Sequence, residues 1–256
     1  MTNPLLAWSE DGARDGSPLL MGSSLGTTRE MWAPGLDELS EFRVIRFDHL
    51  GHGESAVPDG PYSMEQLGNA VLQLMDHLGI ERASYAGLSL GGALGQWLAI
   101  NHPERIERLA LLATAAHFPD PATWQDRAAQ VRSSGTESVA DTAMTRWFTD
   151  AYRGEHADDV TAWRAMVAGI DDEGYAGCCE ALAAFDARPD LAKITAPTIA
   201  IAGDQDPSTP PSTMQALVDG IADSRLEVVE DAAHLVHVPH PQQVGKLVAD
   251  HLRHAP

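Results

Sequence analysis

A glycine-flanked serine is the residue in this sequence best placed to do chemistry. The pattern Gly87-x-Ser89-x-Gly91 follows a strand predicted at 81–85 and precedes residues 93–102, where small and apolar residues recur at helical spacing. At such a corner the unpaired N–H groups of the helix start favour an anion developing beside the serine. Glycines suit the corner because the chain is strained there and passes close to its neighbours. The pattern therefore predicts nucleophilic catalysis by Ser89.

A serine nucleophile needs a base, and the base needs a carboxylate to orient it. Asp206 follows the apolar run 197–202, and His234 follows the next predicted strand, 226–229. Three predicted strands thus end in loops that carry a serine, an aspartate and a histidine, in that order. Because the carboxyl ends of parallel strands meet at one edge of a sheet, we expect the side chains of Ser89, Asp206 and His234 to lie together.

Alternatives exist for the carboxylate and for the base. Asp204 lies nearer its strand, although the Gly-x-x-Asp spacing favours Asp206. His237 and His240 compete with His234, but they lie closer to the terminal helix and are expected to pack or to face solvent. No group of His, Asp or Glu has metal-ligand spacing and no phosphate-binding glycine loop occurs, so we expect neither a metal nor a cofactor. Two further histidines are expected to support the structure of their loop: His49 and His52.

The elements that hold these loops alternate between strand and helix. Ser63 and Gln66 form a capping box at the start of a helix whose apolar face continues to residue 78. Residues 31–39 are compatible with another helix. Such alternation predicts a mostly parallel sheet with helices packed against it. Strands are expected at 18–21, 43–47, 81–85, 108–112, 197–202 and 226–229.

Between residues 117 and 188 the alternation stops, and the sequence looks helical throughout. A helical insertion between two strands of a parallel sheet is expected to cover the edge where such folds bind ligands. We therefore predict a core formed by residues 1–116 and 189–256, with residues 117–188 as a helical cap.

Composition narrows the classes of partner. The chain of 256 residues carries 37 acidic and 17 basic side chains, a formal charge of −20, which argues against nucleic acid and anionic membranes as partners. No apolar run approaches the roughly 20 residues that span a bilayer, and no secretory signal is recognisable. Cys178 and Cys179 are adjacent and are expected to be small buried residues rather than a redox pair. A cytoplasmic location is expected, and the sequence does not indicate an oligomeric state.

Over nearly its whole length the chain resembles the α/β-hydrolases, and more narrowly the 3-oxoadipate enol-lactonases. The cysteine pair with Glu180 is more specific than the Gly-x-Ser-x-Gly pattern, since no general hydrolase chemistry requires it. Leu50 is a departure, because relatives usually carry Arg there, and it puts the packing of that loop in doubt. The resemblance implies an oxyanion hole formed by the backbone N–H groups of Leu25 and Leu90. It rests on the stretches 24–27, 31–32, 87–92, 102–106, 146–149, 178–181 and 201–210.

The resemblance implies hydrolysis of a small enol-lactone through an acyl-enzyme. Such a lactone carries a carboxylate, for which the cap must supply a partner. Trp124 and Arg127 are three residues apart and can share a helix face, while Arg146 and Trp147 are the other candidates. A broader carboxylesterase or lactonase, or a cofactor-free perhydrolase of the same fold, would need the same three catalytic residues. A hydrolase-like ligand receptor is the remaining alternative, which the complete set of catalytic residues disfavours.

Overall fold

Within residues 5–253, which the computed structural model describes, seven strands form one sheet in the order β1-β3-β2-β4-β5-β6-β7. Strand β1 is antiparallel to β3, and the other neighbours are parallel. The predicted mostly parallel sheet is thus confirmed. The described residues leave out 1–4 and 254–256, which belong to the predicted core. The expectation that no secretory signal is present falls partly on residues 1–4 and so lies partly outside the described residues. The strands are β1 Trp8–Gly12, β2 Pro18–Gly22, β3 Arg43–Phe47, β4 Ala83–Leu88, β5 Ile106–Leu112, β6 Thr198–Gly203 and β7 Ser224–Val229.

Strand β1 was not predicted from the sequence, because it lies at an edge of the sheet and is mostly polar. It pairs with β3 in a register that sets Trp8 opposite Phe47. Ion pairs across the ladder support it, with Arg43 2.8 Å from Glu10. An edge strand needs no continuous apolar run, since much of it stays in contact with water.

The prediction of one helix over residues 31–39 is wrong. Two short 3₁₀ turns, Arg29–Trp32 and Leu36–Leu39, occupy this region instead. Gly35 separates them with φ of 88°, a left-handed conformation that ends a helix. A Cβ atom at Gly35 would also lie 2.9 Å from the carbonyl oxygen of Pro241.

In the described part of the core, four helices flank the sheet. The capping box is partly confirmed, because the Ser63 side chain accepts a hydrogen bond of 3.1 Å from the Gln66 N–H. Helix α2, Leu90–Asn101, packs against β2, β4 and β5. The helices are α1 Met64–His77, α2 Leu90–Asn101, α8 Pro211–Val218 and α9 Pro241–Arg253.

A helical insertion lies between β5 and β6, as predicted. The chain leaves and rejoins the core at neighbouring points, where the Ala187 N–H donates to the Ala116 carbonyl over 2.7 Å. The division at residues 117 and 188 stays a prediction, which this closing contact supports. Helix α3 packs against α7, and α4 packs against α6. The five helices are α3 Pro121–Ser134, α4 Glu137–Trp147, α5 Asp150–Glu155, α6 Ala157–Ala168 and α7 Asp172–Ala184.

Among the described residues, no helix has the length and apolar character needed to cross a membrane.

Candidate active site

Ser89 occupies a tight corner between β4 and α2. Its backbone has φ of 55° and ψ of −110°, an unfavourable conformation for a residue with a Cβ atom. A Cβ atom on Gly87 would collide with the Gly91 carbonyl, so the flanking glycine is required sterically. The Ser89 N–H donates to the Leu112 carbonyl over 3.0 Å, and the Thr114 hydroxyl donates to the Ser89 carbonyl over 2.8 Å. The end of β5 therefore holds the strained corner in place.

Asp206 and His234 form a buried hydrogen-bonded pair. Nδ1 of His234 lies 2.7 Å from Oδ2 of Asp206. The carboxylate also accepts a bond of 2.6 Å from the Thr209 hydroxyl and one of 2.7 Å from the Ser208 N–H. Burial raises the pKa of Asp206, but the charge of His234 and these hydrogen bonds outweigh it and leave the pKa below its ordinary value. An ionised Asp206 holds the proton of a neutral imidazole on Nδ1, which leaves Nε2 free to accept one.

The alternative residues do not form this pair. Asp204 is exposed, and its Oδ1 accepts a bond of 3.2 Å from the Ala232 N–H, so it supports the turn before His234. The ring of His237 is buried and donates from Nε2 to the Met31 carbonyl over 2.8 Å. Burial lowers the pKa of His237 to about 4. Asp204 and His237 therefore serve the structure around the site.

A cavity of about 680 Å³ between the sheet edge and the cap is lined by most of the predicted site residues, with the exception of Asp206 and Leu90. Ser89 and His234 both line it, although the Ser89 hydroxyl forms no hydrogen bond within residues 5–253. Bonds between nucleophile and base often tighten only when substrate binds, so the two residues remain compatible with that role. The four cap residues predicted from the sequence also line the cavity: Trp124, Arg127, Arg146 and Trp147.

The two predicted oxyanion donors differ in setting. Leu90 is the first residue of α2, so its N–H has no acceptor within the helix. Leu25 lies in the loop after β2 and lines the cavity. Across the described part of the chain, neither backbone N–H donates to another group. Two free donors near Ser89 are what a developing oxyanion would need.

Arg127 and Arg146 extend from different cap helices into the same cavity. Neither guanidinium forms an ion pair within residues 5–253, and both are half-buried. Burial and, secondarily, the charge of Arg127 lower the pKa of Arg146. Arg127 lies over the ring of Trp124, with 4.7 Å from Cζ to the ring centroid, as the shared helix face suggested. By contrast, Arg132 on the same helix pairs with two carboxylates, Glu173 and Glu180.

The two cap tryptophans also differ. Trp147 is buried and meets the ring of Trp163 edge-on at 6.4 Å, so it packs the cap as well as facing the cavity. Trp124 is half-buried, with Phe118 edge-on at 5.7 Å and Arg127 on its face.

Several residues at the site were missed from the sequence. Thr209 donates to Asp206, and its position three residues after the aspartate could have indicated this. Tyr175 lines the cavity on α7, and burial raises its pKa, so its phenol stays neutral. Nothing in the sequence pattern distinguished Tyr175, because it reaches the arginines only when α7 packs against α3. The neighbouring Cys178 and Cys179 are buried free thiols, in line with the prediction.

The loop after β3 is well held despite the departure at Leu50. Leu50 is buried, and its carbonyl accepts bonds from His52 Nδ1 at 3.2 Å and from the Cys178 thiol at 3.7 Å. The guanidinium of Arg29 pairs with both Asp48 and Glu54. Arg29, which follows β2, thus braces the loop after β3.

A family model described as the α/β hydrolase fold matches residues 17–241. The chain belongs to the α/β-hydrolase family. It is 42% identical to 3-oxoadipate enol-lactonase 2 of Acinetobacter baylyi over 95% of this chain and 91% of that one. The crystal structure of the enol-lactonase from Burkholderia xenovorans has a TM-score of 0.95 and 40% identity, over 97% and 96% of the two chains. A thermophilic esterase from Thermogutta terrifontis, solved with malate bound, has a TM-score of 0.91 and 30% identity, over 97% and 93%. The resemblance to enol-lactonases within the α/β-hydrolases is thereby confirmed.

Proposed function

We propose that this α/β-hydrolase opens a small enol-lactone that carries a carboxylate, of the kind represented by 3-oxoadipate enol-lactone. One observation carries the proposal: two arginines that form no ion pair within residues 5–253 share a cavity with Ser89 and with the Asp206-bound His234. The names of the similar enol-lactonases support it. We further propose that the protein acts in the cytoplasm on a small molecule rather than on nucleic acid, as its charge of −20 favours.

Ser89 is the nucleophile in this proposal. Its oxygen attacks the lactone carbonyl as Nε2 of His234 takes the hydroxyl proton, and Asp206 stabilises the resulting imidazolium. The carbonyl oxygen becomes an oxyanion that the N–H groups of Leu25 and Leu90 stabilise. The C–O bond of the ring then breaks to give an acyl-enzyme and an enol, which receives its proton from His234.

The second half of the reaction releases the acid. The enol remains tethered to the acyl group and could attack it again. Conversion to the ketone removes that nucleophile. A water molecule, deprotonated by His234, then attacks the acyl carbonyl and displaces Ser89, which recovers its proton from His234.

The arginine pair is best explained as a site for the substrate carboxylate. Acidic side chains outnumber basic ones by 37 to 17, so a partly buried guanidinium has many candidate partners, yet neither Arg127 nor Arg146 forms an ion pair within residues 5–253. Arg127 instead lies against the Trp124 ring and the neutral Tyr175 phenol, and its charge acts on Arg146. Holding two like charges close together is unfavourable, and a bound carboxylate relieves it. The Thermogutta terrifontis esterase was solved with malate bound, so a relative of this fold takes up a small carboxylate.

The proposal is tested by the loss of absorbance of freshly generated enol-lactone, beside a panel of neutral aryl esters. We expect turnover of the lactone by the parent enzyme and almost none by Ser89→Ala, with the folded state retained. An organophosphorus reagent should label Ser89 alone. Near-normal turnover by Ser89→Ala would remove the central claim. A parent enzyme that prefers neutral esters would point instead to a broader esterase, the activity named for the Thermogutta terrifontis relative.

A further inference from the structure

Residues 23–28, here called the oxyanion loop, include the peptide bond between Ser24 and Leu25. The Ser24 carbonyl and the Leu25 N–H are the two polar groups of that peptide. The Ser24 carbonyl accepts two hydrogen bonds from Thr27, one of 3.2 Å from its N–H and one of 2.8 Å from its hydroxyl. The carbonyl and N–H of a trans peptide point in opposite directions. A Ser24 carbonyl turned toward Thr27 therefore directs the Leu25 N–H away from the loop.

The next peptide is fixed from a different loop. The Gly26 N–H donates to Nε2 of His52 over 3.1 Å. Nδ1 of the same ring faces the Leu50 carbonyl at 3.2 Å, and since a carbonyl only accepts, the proton must be on Nδ1. His52 is thus a neutral acceptor in one defined tautomer, and burial lowers its pKa to about 3. Gly26 itself has φ of 82°, which a residue with a Cβ atom rarely adopts.

The beginning of the oxyanion loop is hydrogen-bonded to the corner that carries Ser89. The Ser23 carbonyl accepts a bond of 3.0 Å from the Gly91 N–H and one of 2.7 Å from Nε2 of His49. This contact sets the loop at a fixed distance from the start of α2, where Leu90 lies. The bonds to the Ser23 carbonyl therefore set the position of the oxyanion loop. Thr27 and His52 set the orientation of the peptides on either side of Leu25.

Both orienting side chains are polar and fully buried. Thr27 is 0% exposed and His52 is 1% exposed. An apolar residue of similar size would avoid the desolvation of a hydroxyl or an imidazole at either position, so polar groups here indicate a requirement for their hydrogen bonds.

We propose that Thr27 and His52 are positioning residues of the oxyanion hole, which fix the Leu25 N–H toward the cavity before substrate binds. This inference rests on the proposed function, because it assigns the Leu25 N–H to the oxyanion of the reaction at Ser89. Neither side chain lines the cavity, so each acts through the peptide that it holds.

Two pairs of variants test the proposal. Thr27→Val removes the hydroxyl and keeps the shape, whereas Thr27→Ser keeps the hydroxyl. His52→Leu removes the acceptor, whereas His52→Gln can offer an oxygen near the position of Nε2. Thr198→Val is the matched control, because the buried Thr198 hydroxyl also donates to a carbonyl, that of Ala196 at 2.8 Å, but at the opposite end of β6 from Asp206.

Two readouts separate positioning from general support of the fold. Deleting an oxyanion donor costs about 10²–10³ in kcat, so misdirecting one should cost on the order of 10- to 100-fold in kcat with KM changed by less than about twofold. Phenylboronic acid forms a tetrahedral adduct with a serine nucleophile, and its inhibition constant should rise by a factor similar to the loss in kcat. Thr27→Ser and His52→Gln should recover most of both losses, and Thr198→Val should change neither even where it lowers the melting temperature.

The inference is overturned if Thr27→Val and His52→Leu keep the parent kcat and boronate affinity, or lose activity only as Thr198→Val does. If Thr27→Val does not fold, the comparison of His52→Leu with His52→Gln decides in the same way. If the parent enzyme turns over ester and is labelled at Ser89, and these variants keep the parent kcat and boronate affinity, only the positioning role is contradicted. A parent that does neither removes the proposed function and the inference together.

Discussion

Nδ1 of His234 lies 2.7 Å from Oδ2 of Asp206, and the two side chains are only 6% and 0% exposed. Their loops follow β7 and β6, which are neighbours in the sheet, so the hydrogen bond joins two adjacent strand ends. Burial excludes water from the hydrogen bond between His234 and Asp206, which must stay intact while protons move to and from Nε2 of His234. Asp204, two residues earlier, is exposed and bonds to the Ala232 N–H instead.

Asp206→Asn should therefore be far more damaging than Asp204→Asn. An asparagine amide can donate to Nδ1 and hold the imidazole in the wrong tautomer, an effect on the order of 10⁴ in kcat in the serine-protease triad. Asp204→Asn keeps an oxygen that can accept from the Ala232 N–H, so activity should stay within about threefold. Steady-state rates of the two variants on the same aryl ester measure both effects on kcat. If Asp204→Asn is the inactive variant, the carboxylate has been assigned wrongly.

Gly91→Ala should destabilise the protein and reduce activity, because its Cβ atom would collide with the carbonyl of Gly22. The backbone on both sides of the contact is fixed, so relief of the collision requires a shift of the corner at Ser89 relative to β2. We expect a loss of about 1–3 kcal/mol in the free energy of unfolding, as for overpacked cores. Denaturant titration measures it.

Gly154→Ala is the matched control for that change. Gly154 lies within α5, and nothing is found within 4 Å of the position of its Cβ atom. Alanine is favoured over glycine inside a helix by roughly 0.5–1 kcal/mol, so this variant should be as stable as the parent or more stable. A loss of stability at Gly154 equal to that at Gly91 would show that the collision is not the cause.

Stability should fall steeply as the pH is lowered from about 6.5 to 4. Within residues 5–253, burial lowers the pKa of four histidines: His52 to about 3, and His49, His237 and His251 to about 4. Between these values and the ordinary 6.5, the unfolded chain binds protons that the folded chain does not. Stability is therefore full above pH 6.5 and is lost as the pH falls toward 4.

The slope of the unfolding free energy against pH measures this difference. Near pH 5.5 the four groups together should account for roughly three to four protons. His237→Gln should remove about one of them, since its amide can still donate to the Met31 carbonyl without titrating. A slope that His237→Gln leaves unchanged would contradict the assignment of a buried neutral imidazole there.

Some parts of the fold and the site could be predicted from the sequence and others could not. Ser89, Asp206 and His234 were predictable because each follows a strand, and parallel strands bring their carboxyl ends together whatever the intervening chain does. The strand Trp8–Gly12 was not, since a polar edge strand lacks the apolar alternation by which strands are recognised. The break at Gly35 depended on a left-handed backbone that the apolar spacing of residues 31–39 concealed.

In the cap, contacts within one helix could be predicted from the sequence, whereas contacts between helices could not. Trp124 and Arg127 share α3, so helical spacing alone could predict their contact. The approach of Arg127 to Arg146 depends on how α3 packs against α4, and the placing of Tyr175 depends on α7. Such contacts between helices are fixed by the packing of whole faces, and no local pattern in the sequence encodes them.

The arginine pair leads to the prediction that most directly tests the substrate class. Arg127→Met and Arg146→Met keep much of the apolar stem while removing the charge and the donors. If one of these guanidiniums binds the substrate carboxylate, its loss should lower kcat/KM for the acidic lactone by on the order of 10- to 150-fold, the equivalent of one charge-assisted hydrogen bond. A neutral aryl ester lacks the carboxylate and should be hydrolysed about as before.

Arg164→Met provides the control for loss of a cap cation. Arg164 lies on α6, bonds to Glu137 at 2.5 Å and to Asp141 at 2.6 Å, and does not line the cavity. Removing it changes the net charge by the same amount, so any effect of overall charge on an anionic substrate appears in this variant too. The ratio of kcat/KM for the acidic lactone to that for the neutral ester should stay at the parent value in Arg164→Met and fall in the variant of the binding arginine. If the ratio is unchanged in Arg127→Met and in Arg146→Met, the carboxylate is bound elsewhere, because a cation that contacts it could not be removed without discriminating between the two substrates.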